Sequence, residues 1–181
     1  MSKMMAKTRD KTREKDNEMV DHVVNVRRVT KVTKGGKRFS FSAFVVSGDQ
    51  EGQVGCGLGR SREVAAAIAK ATNQARKNMV TIPLYGGTIP YPVEGKHGAS
   101  KVIIRSASKG TGVIAGGAMR YIMGALGVKD VLAKSLGSAN RQNVVKATLN
   151  ALAKLRSAEH LARLRNTTVN DMVGKKHATT E

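Results

Sequence analysis

Apolar and polar side chains alternate along residues 23–59, which is the pattern of β-strands. Residues 23–33 are rich in Val, Thr and Arg, and the pair Gly35-Gly36 follows shortly after them. Glycines tolerate the positive φ angles that a two-residue hairpin turn requires, so this pair predicts a tight turn. Residues 39–45 then alternate Phe, Ala or Val with Ser, which predicts a second strand with one buried face.

A third strand is predicted beyond a turn at residues 49–52, because residues 54–58 alternate apolar side chains with glycines. Bare positions on one strand face leave a backbone that another group can approach closely. A helix follows, with Ser61 as its expected N-cap. Its apolar stripe at helical spacing comprises Val64, Ile68, Ala71, Ala75 and Met79. Three strands followed by a helix resemble the architecture of a double-stranded-RNA-binding domain.

A second unit is predicted after the three prolines of the chain, Pro83, Pro90 and Pro92. It begins with a strand over residues 101–107 and continues with a helix that ends at Gly127. The predicted apolar face of that helix comprises Ile114, Ala118, Tyr121, Ile122 and Ala125. A further strand over residues 131–136 precedes a long last helix, for which Asn140 is the expected N-cap.

These elements predict an α+β protein with four segments. Residues 1–18 alternate basic and acidic side chains without apolar periodicity, which is typical of a flexible tail. Residues 19–82 are the domain similar to double-stranded-RNA-binding domains, with a three-stranded sheet and one helix. Residues 83–158 are a second, β-α-β-α domain with its own aliphatic core. Residues 159–181 are a polar C-terminal extension.

The net charge indicates what kind of partner this protein binds. The 181 residues include 32 Lys or Arg and 13 Asp or Glu, giving a formal net charge of +19. Between residues 64 and 158 only Glu94 and Asp130 are acidic, so the excess belongs to the folded body rather than to a tail. A surplus of this size favours a polyanionic partner, since each neutralised phosphate releases condensed counterions. Hydrophobic residues make up 40% of the chain, which allows a packed core.

Candidate catalytic and metal-binding chemistry is sparse. Cys56 is the single cysteine, and the four histidines are far apart in the sequence, so no thiolate cluster or metal-binding spacing is present. Glu94 and Asp130 are interpreted as surface residues. No secretory signal or membrane-spanning run is visible, which predicts a cytoplasmic protein. The sparse chemistry predicts no catalytic residues, metal or cofactor.

Two glycine-rich segments invite an enzymatic interpretation. Residues 55–59 follow a strand and precede a helix, but their spacing is G-x-G-x-G and no acidic residue follows at the distance that binds a ribose. Residues 57–61 resemble the phosphate loop of small-molecule kinases, yet the supporting Asp is missing. Residues 109–112 lack the Gly-Lys-Ser/Thr ending of a P-loop. We therefore interpret these glycines as serving turns and close packing.

A basic cluster is the informative candidate site. The predicted hairpin carries six cations, and two more stand at the start of the following helix: Arg27, Arg28, Lys31, Lys34, Lys37, Arg38, Arg60 and Arg62. Arginine forks suit phosphate geometry, and Gly35 and Gly36 permit close backbone approach. Aromatic side chains are only 3% of the chain, so structured RNA is favoured over a stacked single strand.

Two long motifs resemble the family of the fifth small-subunit ribosomal protein of bacteria. The first is RRVTKVTKGGKRFSF at residues 27–41, which continues with glycines up to Gly59 and with Arg62-Glu63-Val64. The second is GTGVIAGGAMR at residues 110–120, followed by VLAK at residues 131–134. The resemblance covers about residues 22–158. Cys56 and Leu58 stand where the family usually has an aromatic residue.

The resemblance implies a non-enzymatic protein of the small ribosomal subunit in the cytoplasm. It implies a second domain with a left-handed β-α-β crossover, an exception to the usual handedness. The implied partners are 16S rRNA, ribosomal proteins four and eight and the mRNA at its path into the subunit, with an influence on translational accuracy. The hairpin at residues 34–36 would approach the spectinomycin region, and Gly112 and Arg120 would lie at the interface with protein four.

Two other classes of function stay open on sequence grounds. A free-standing regulator that binds duplex RNA would need the same two domains. A phosphotransferase would share the general fold of the second domain. Sedimentation with small subunits separates the first alternative from a ribosomal constituent, and nucleotide binding would be required for the second.

Overall fold

The computed structural model describes residues 19–169 and 171. The predicted flexible tail at residues 1–18 lies outside the described residues, as does the end of the C-terminal extension. The first sheet is antiparallel and has the order β1-β2-β3-β4. Its strands are β1 (Val20–Thr33), β2 (Gly36–Gly48), β3 (Gln53–Ser61) and β4 (Val80–Thr81). Helix α1 (Val64–Lys77) connects β3 to β4, so the three predicted strands are joined by a short fourth.

The second sheet has the order β5-β6-β8-β7. Its strands are β5 (Val93–His97), β6 (Ser100–Ser106), β7 (Val113–Ile114) and β8 (Val131–Gly137), and the remaining helices are α2 (Gly117–Leu126), α3 (Arg141–Leu152) and α4 (Ala158–Leu164). Strands β7 and β8 are parallel neighbours with α2 in the connection between them. The sequence instead predicts a β-α-β unit that begins at residues 101–107, but that strand, β6, pairs with β8 in the antiparallel sense. The left-handed crossover implied by the family resemblance stays a prediction.

Glycines of β3 are covered by α1. A Cβ atom placed on Gly55, Gly57 or Gly59 would collide with backbone oxygens of the helix. The oxygens belong to Ala75, Ala71 and Ala67, in that order. The close approach that the bare strand face predicts is therefore made by the next element of the chain itself.

The predicted start and apolar face of α1 need correction. Ser61 is the last residue of β3, and the N-cap is Glu63, whose side chain makes no capping hydrogen bond. The buried positions are Ala67, Ala71 and Ala75, whereas Val64 is 39% exposed. The glycine strip leaves room only for small side chains, so the helix turns its alanines to the sheet.

The prediction of one buried face for β2 is wrong for the second half of that strand. Ala43 and Val45 pack with Ala67 and Ala71 of α1 on one side. Phe44 and Val46 belong to a core on the other side that also contains Ile122 and Met123 of α2. Both faces are buried because the second unit covers the side that α1 leaves open.

The hairpin turn is displaced by one residue from its predicted position. Thr33 pairs with Gly36 in the strand register, so the two turn residues are Lys34 and Gly35. Positive φ is found at Gly36, at 130°, and not at Gly35. Gly36 takes up the left-handed backbone angle at the start of β2, and the Thr33 hydroxyl donates to its carbonyl oxygen at 3.0 Å.

Most signals for the second unit are confirmed. Gly127 ends α2 with a φ of 83°, and the Asn140 side chain accepts from the backbone N–H of Gln142 at the start of α3, at 3.2 Å. Strand β8 covers the predicted residues 131–136. Ile114 lies in β7 rather than on the helix, and β5 was not predicted. Strand β7 has only two residues, and Gly95 interrupts β5. The alternation of apolar and polar side chains is therefore too short in either to identify a strand from the sequence.

Candidate nucleic-acid interface

The tip of the β1–β2 hairpin projects beyond the rest of the sheet. Pairing between β2 and β3 ends where Phe41 lies opposite Ser61. The strand residues nearer the turn, 36–40, therefore pair only with β1, and residues 36–39 are exposed. The end of β3 and the start of α1 stand at the base of this projecting ribbon, which brings Arg60 and Arg62 towards the hairpin.

The strand register sorts the basic side chains onto two faces. Residues that pair across antiparallel strands point to the same face, and neighbours along a strand point to opposite faces. Ala43 and Val45 point towards α1, so Ser42 and Arg38 point away from it. Arg27 pairs with Ser42, Arg60 pairs with Ser42 from the other side, and Lys31 pairs with Arg38. We call these four cations, Arg27, Lys31, Arg38 and Arg60, the basic face.

Three candidates stand apart from the basic face. Arg28 and Lys37 point to the side of the sheet that carries α1, and Lys34 lies at the turn. The guanidinium carbon of Arg28 lies 3.7 Å from the centroid of the Phe39 ring. This cation–π contact holds the charge beside an exposed aromatic ring near the tip. The hairpin thus presents cations on both of its faces.

A groove of about 690 Å³ opens where the projecting ribbon meets the start of α1. Its cationic lining residues are Lys31, Arg60, Arg62 and Lys70. The first turn of α1 carries no acidic side chain beyond the N-cap Glu63, so its backbone N–H groups add a positive dipole end. A concave surface with this excess of cations suits the phosphates of an RNA backbone.

Lys70 was missed as a site residue by sequence reasoning. Its position opposite the apolar stripe predicts only an exposed side chain, which is what the structure shows. The packing of α1 against the sheet places it in the same groove as Lys31, and no local pattern announces that long-range proximity.

The cations of the groove outnumber its acidic residues: four cations line it, against Glu63 alone. Within residues 19–169 and 171, ion pairs join Arg76 to Asp21 at 3.0 Å and Lys101 to Glu94 at 2.8 Å. No carboxylate in that part of the chain pairs with a cation of the basic face or the groove. Such a cluster repels itself, and a polyanion relieves the repulsion.

The acidic turn at residues 49–52 lies at the far end of the hairpin from the tip. About twelve strand residues separate the two ends, which corresponds to roughly 40 Å. The Asp49 carboxylate accepts from the backbone N–H groups of Glu51 and Gln53, each at 2.8 Å. The N–H of Gln50 donates to Ala125 at the end of α2. This turn serves the packing of the two units and leaves the tip free of negative charge.

Gly112 and Arg120 flank β7. Gly112 has a φ of 74° immediately before the strand, and open space surrounds the position of a Cβ atom. Its carbonyl oxygen accepts from Val131 at 3.1 Å. Arg120 is exposed in the first turn of α2. Both candidates are therefore accessible, although they lie on different elements.

Asp130 is not the surface residue that the sequence suggested. It is 8% exposed, and its Oδ1 atom accepts from the backbone N–H groups of Gly110 and Gly112 at 3.0 and 2.9 Å. The loop at residues 109–112 is thereby closed around a carboxylate of the chain. Glu94 is exposed as expected, and the hydrogen bond from Lys101 lowers the pKa of its carboxyl group.

Comparison with known protein families assigns both units. The model of "Ribosomal protein S5, N-terminal domain" matches residues 19–83, and that of "Ribosomal protein S5, C-terminal domain" matches residues 95–165. The chain belongs to the ribosomal protein S5 family. The family is structural and non-enzymatic, and its proteins are found in the cytoplasmic ribosome.

Relatives in this family cover most of the chain. The small ribosomal subunit protein uS5 of Bartonella tribocorum is 55% identical over 150 residues, which is 82% of either chain. That of Bacteroides thetaiotaomicron is 52% identical over 85% of this chain and 90% of its own. That of Chromohalobacter salexigens is 50% identical over 89% of this chain and 97% of its own. The resemblance inferred from the two motifs is confirmed.

Neither membrane nor metal features stand out in the described residues. No helix among them is long and apolar enough to cross a membrane. No three His, Cys, Asp or Glu side chains within residues 19–169 and 171 are grouped so that they could hold a metal ion.

Proposed function

We propose that this member of the ribosomal protein S5 family is a structural constituent of the small ribosomal subunit that binds 16S rRNA through the basic face and the adjoining groove. The observation that carries the proposal is the convergence of four cations on one groove, Lys31, Arg60, Arg62 and Lys70, none of which forms an ion pair within residues 19–169 and 171. Phosphate contacts position a protein on folded RNA without reading its sequence.

The projecting tip extends this surface. Lys34, Lys37 and Arg38 surround a turn whose conformation is set by Gly36. Together with Gly35, these residues form a narrow cationic tip that fits between RNA segments. We assign to this tip the approach to the spectinomycin region and include in the proposal a place along the path by which mRNA enters the subunit.

Contacts with neighbouring ribosomal proteins four and eight are supported by the outer face of the second sheet. Ile114 is 54% and Leu132 40% exposed, and both line an apolar cavity of about 430 Å³ with Ile103. Arg105 and Lys134 border it. Exposed apolar patches with a polar rim are typical of protein interfaces. Gly112 adjoins this face, and we assign the Gly112 and Arg120 surface to protein four, with an effect on translational accuracy.

A binding experiment tests the RNA contact. The double variant Arg60→Gln/Arg62→Gln removes two groove cations, and its affinity for a 16S rRNA fragment should fall with a reduction of the salt slope by roughly two. The double variant Lys96→Gln/Lys129→Gln loses the same charge at exposed positions outside the groove and serves as the matched control. Equal slopes for both variants would contradict the groove assignment.

Sucrose-gradient sedimentation tests the role as a ribosomal constituent. A stoichiometric component migrates with small subunits at high salt, because protein neighbours and many phosphate contacts hold it in place. Release of the protein from subunits under those conditions would favour the free-standing regulator of duplex RNA instead.

A further inference from the structure

A cavity of about 400 Å³ lies on the second unit, between residues 85–91 and the segment that leads into α4. Two tyrosines, Tyr85 and Tyr91, and two arginines, Arg156 and Arg165, contribute to its lining together with Pro90 and Leu161. None of these residues lines the groove beside the hairpin. We call this cavity the tyrosine pocket.

We propose that the tyrosine pocket binds one unpaired nucleotide of RNA, with the base stacked on Tyr85 and the phosphate beside Arg156. The inference rests on the proposed function in so far as RNA is the partner, but it concerns a different surface and a different kind of contact. The groove suits the backbone of folded RNA, whereas the tyrosine pocket suits a base that has left its helix.

Hydrogen bonds hold the side chain of Tyr91 and the backbone of Tyr85 in place. The hydroxyl of Tyr91 accepts from the backbone N–H of Arg156 at 2.8 Å and lies 3.3 Å from the carbonyl oxygen of Lys154, to which it donates. The backbone of Tyr85 is fixed by two hydrogen bonds with Thr88, at 2.9 and 3.0 Å. A pocket whose backbone and Tyr91 ring are fixed before binding loses less conformational freedom when the ligand arrives.

The exposure of Tyr85 needs an explanation that the core does not supply. This side chain is 70% exposed, and it lies outside both hydrophobic core clusters. The whole chain contains three tyrosines, three phenylalanines and no tryptophan, yet two of the tyrosines line this one cavity. An exposed aromatic ring offers a flat face on which a nucleobase stacks.

The charge at the pocket selects a nucleotide among aromatic ligands. Arg156 is exposed, and no carboxylate of the described residues lies within ion-pair distance of it. A guanidinium forms two parallel hydrogen bonds with phosphate oxygens and also stacks on ring faces. The cavity volume lies within the range of small-ligand sites, so one nucleotide fits rather than a duplex.

Fluorescence provides a direct test, because the chain contains no tryptophan. In the Tyr85→Trp variant, single-stranded hexaadenylate should quench the introduced indole as a base stacks on it. The Tyr85→Leu variant should bind the same oligonucleotide about fivefold more weakly. Tyr121→Leu is the matched control, since Tyr121 lies on α2 outside the pocket, and its affinity should equal that of the unmodified chain.

The groove variant Arg60→Gln/Arg62→Gln separates this inference from the proposed function. It should keep the quenching by hexaadenylate in the Tyr85→Trp background while losing affinity for the rRNA fragment. Absence of quenching would overturn the inference and leave a protein segment as the occupant of the pocket. Loss of quenching on mutation of the groove would overturn it as well, because the oligonucleotide would then be bound at the groove. If quenching persists while groove mutations leave rRNA affinity unchanged, the proposed groove function fails alone.

Discussion

Cys56 shows how the surroundings of one side chain decide its chemistry. It lies on β3, where it packs beside the main core, in agreement with the sequence-based interpretation as a small core residue. Burial raises the pKa of its thiol, and the positive charge of Lys146 acts weakly in the opposite direction. The thiolate is the nucleophilic form, so the folded protein holds this group in its unreactive state at neutral pH.

Alkylation by iodoacetamide should therefore depend on pH differently in the folded and the unfolded chain. The rate for Cys56 should reach half its maximum at a higher pH in the folded protein than in urea. Because the folded pKa is raised above the unfolded one, the contribution of this thiol to stability is complete below the unfolded pKa and is lost as pH rises through the folded pKa. Coincident pH profiles in the two states would contradict this expectation.

Asp130 is a second residue whose role follows from its contacts. Its carboxylate satisfies two backbone N–H groups of the loop that ends at Gly112. Asp130→Ala should lower the free energy of unfolding by about 1–2 kcal/mol, since two part-buried backbone donors would lose their acceptor. Asp130→Asn keeps an acceptor oxygen and should cost less than half as much. Urea denaturation measures both values, and an Asp130→Ala variant as stable as the unmodified protein would refute the assignment.

At the scale of elements, the contact between β3 and α1 depends on complementary small residues. Gly57→Ala places a methyl group against the backbone of Ala71, which cannot move without displacing the helix. We expect a loss of at least about 2 kcal/mol of stability in thermal or urea denaturation. Gly35→Ala is the matched control, because nothing lies within 4 Å of the added atom and its φ is not positive. Similar losses for the two variants would show that glycine content, rather than packing, determines the effect.

At the hairpin tip, the contributions of charge and of backbone geometry to RNA binding can be tested separately. Replacing Lys34, Lys37 and Arg38 by Gln should weaken rRNA binding and reduce the salt slope by up to about three, one for each lost phosphate contact. Gly36→Val keeps every charge but strains a residue with a φ of 130°. It should redirect the tip and alter the response to spectinomycin while the slope changes less. An unchanged salt slope in the Gln variant would show that the tip does not contact phosphate.

Local sequence patterns predict individual strands and helices better than the contacts between them. The alternation at residues 39–45 identifies a strand, but only the packing of α2 explains why Phe44 is buried as well as Ala43. The glycines of β3 predict a close approach without naming α1 as the approaching element. The basic hairpin was recognisable from charge, whereas Lys70 and the tyrosine pocket depend on contacts between distant segments.

At the scale of the whole molecule, α2 links the two sheets. Its buried side chains Ile122 and Met123 belong to the same core as Phe44 and Val46 of the first sheet. Its exposed side carries Arg120, and its C-terminal end accepts hydrogen bonds from Gln50 and Gly52 of the β2–β3 turn. A close-packed core transmits displacement rather than absorbing it. A protein bound beside Arg120 is thus mechanically connected to the sheet that carries the basic face.

Because of this connection, we expect substitutions at Arg120 to change translational accuracy while leaving rRNA affinity nearly unchanged. Arg120→Leu should change the frequency of misreading in a translation reporter more than it changes affinity for rRNA, because the basic face and the groove remain intact. A bound neighbour can bias a two-state closure of the subunit by its differential affinity for the two states. Gly112→Arg should act in the same direction, with added backbone strain at a φ of 74°. Lys129→Gln, which removes an exposed charge elsewhere on the second unit, is the control and should leave misreading unchanged. Normal misreading by Arg120→Leu subunits that assemble fully would mean that this surface is not an interface that influences decoding.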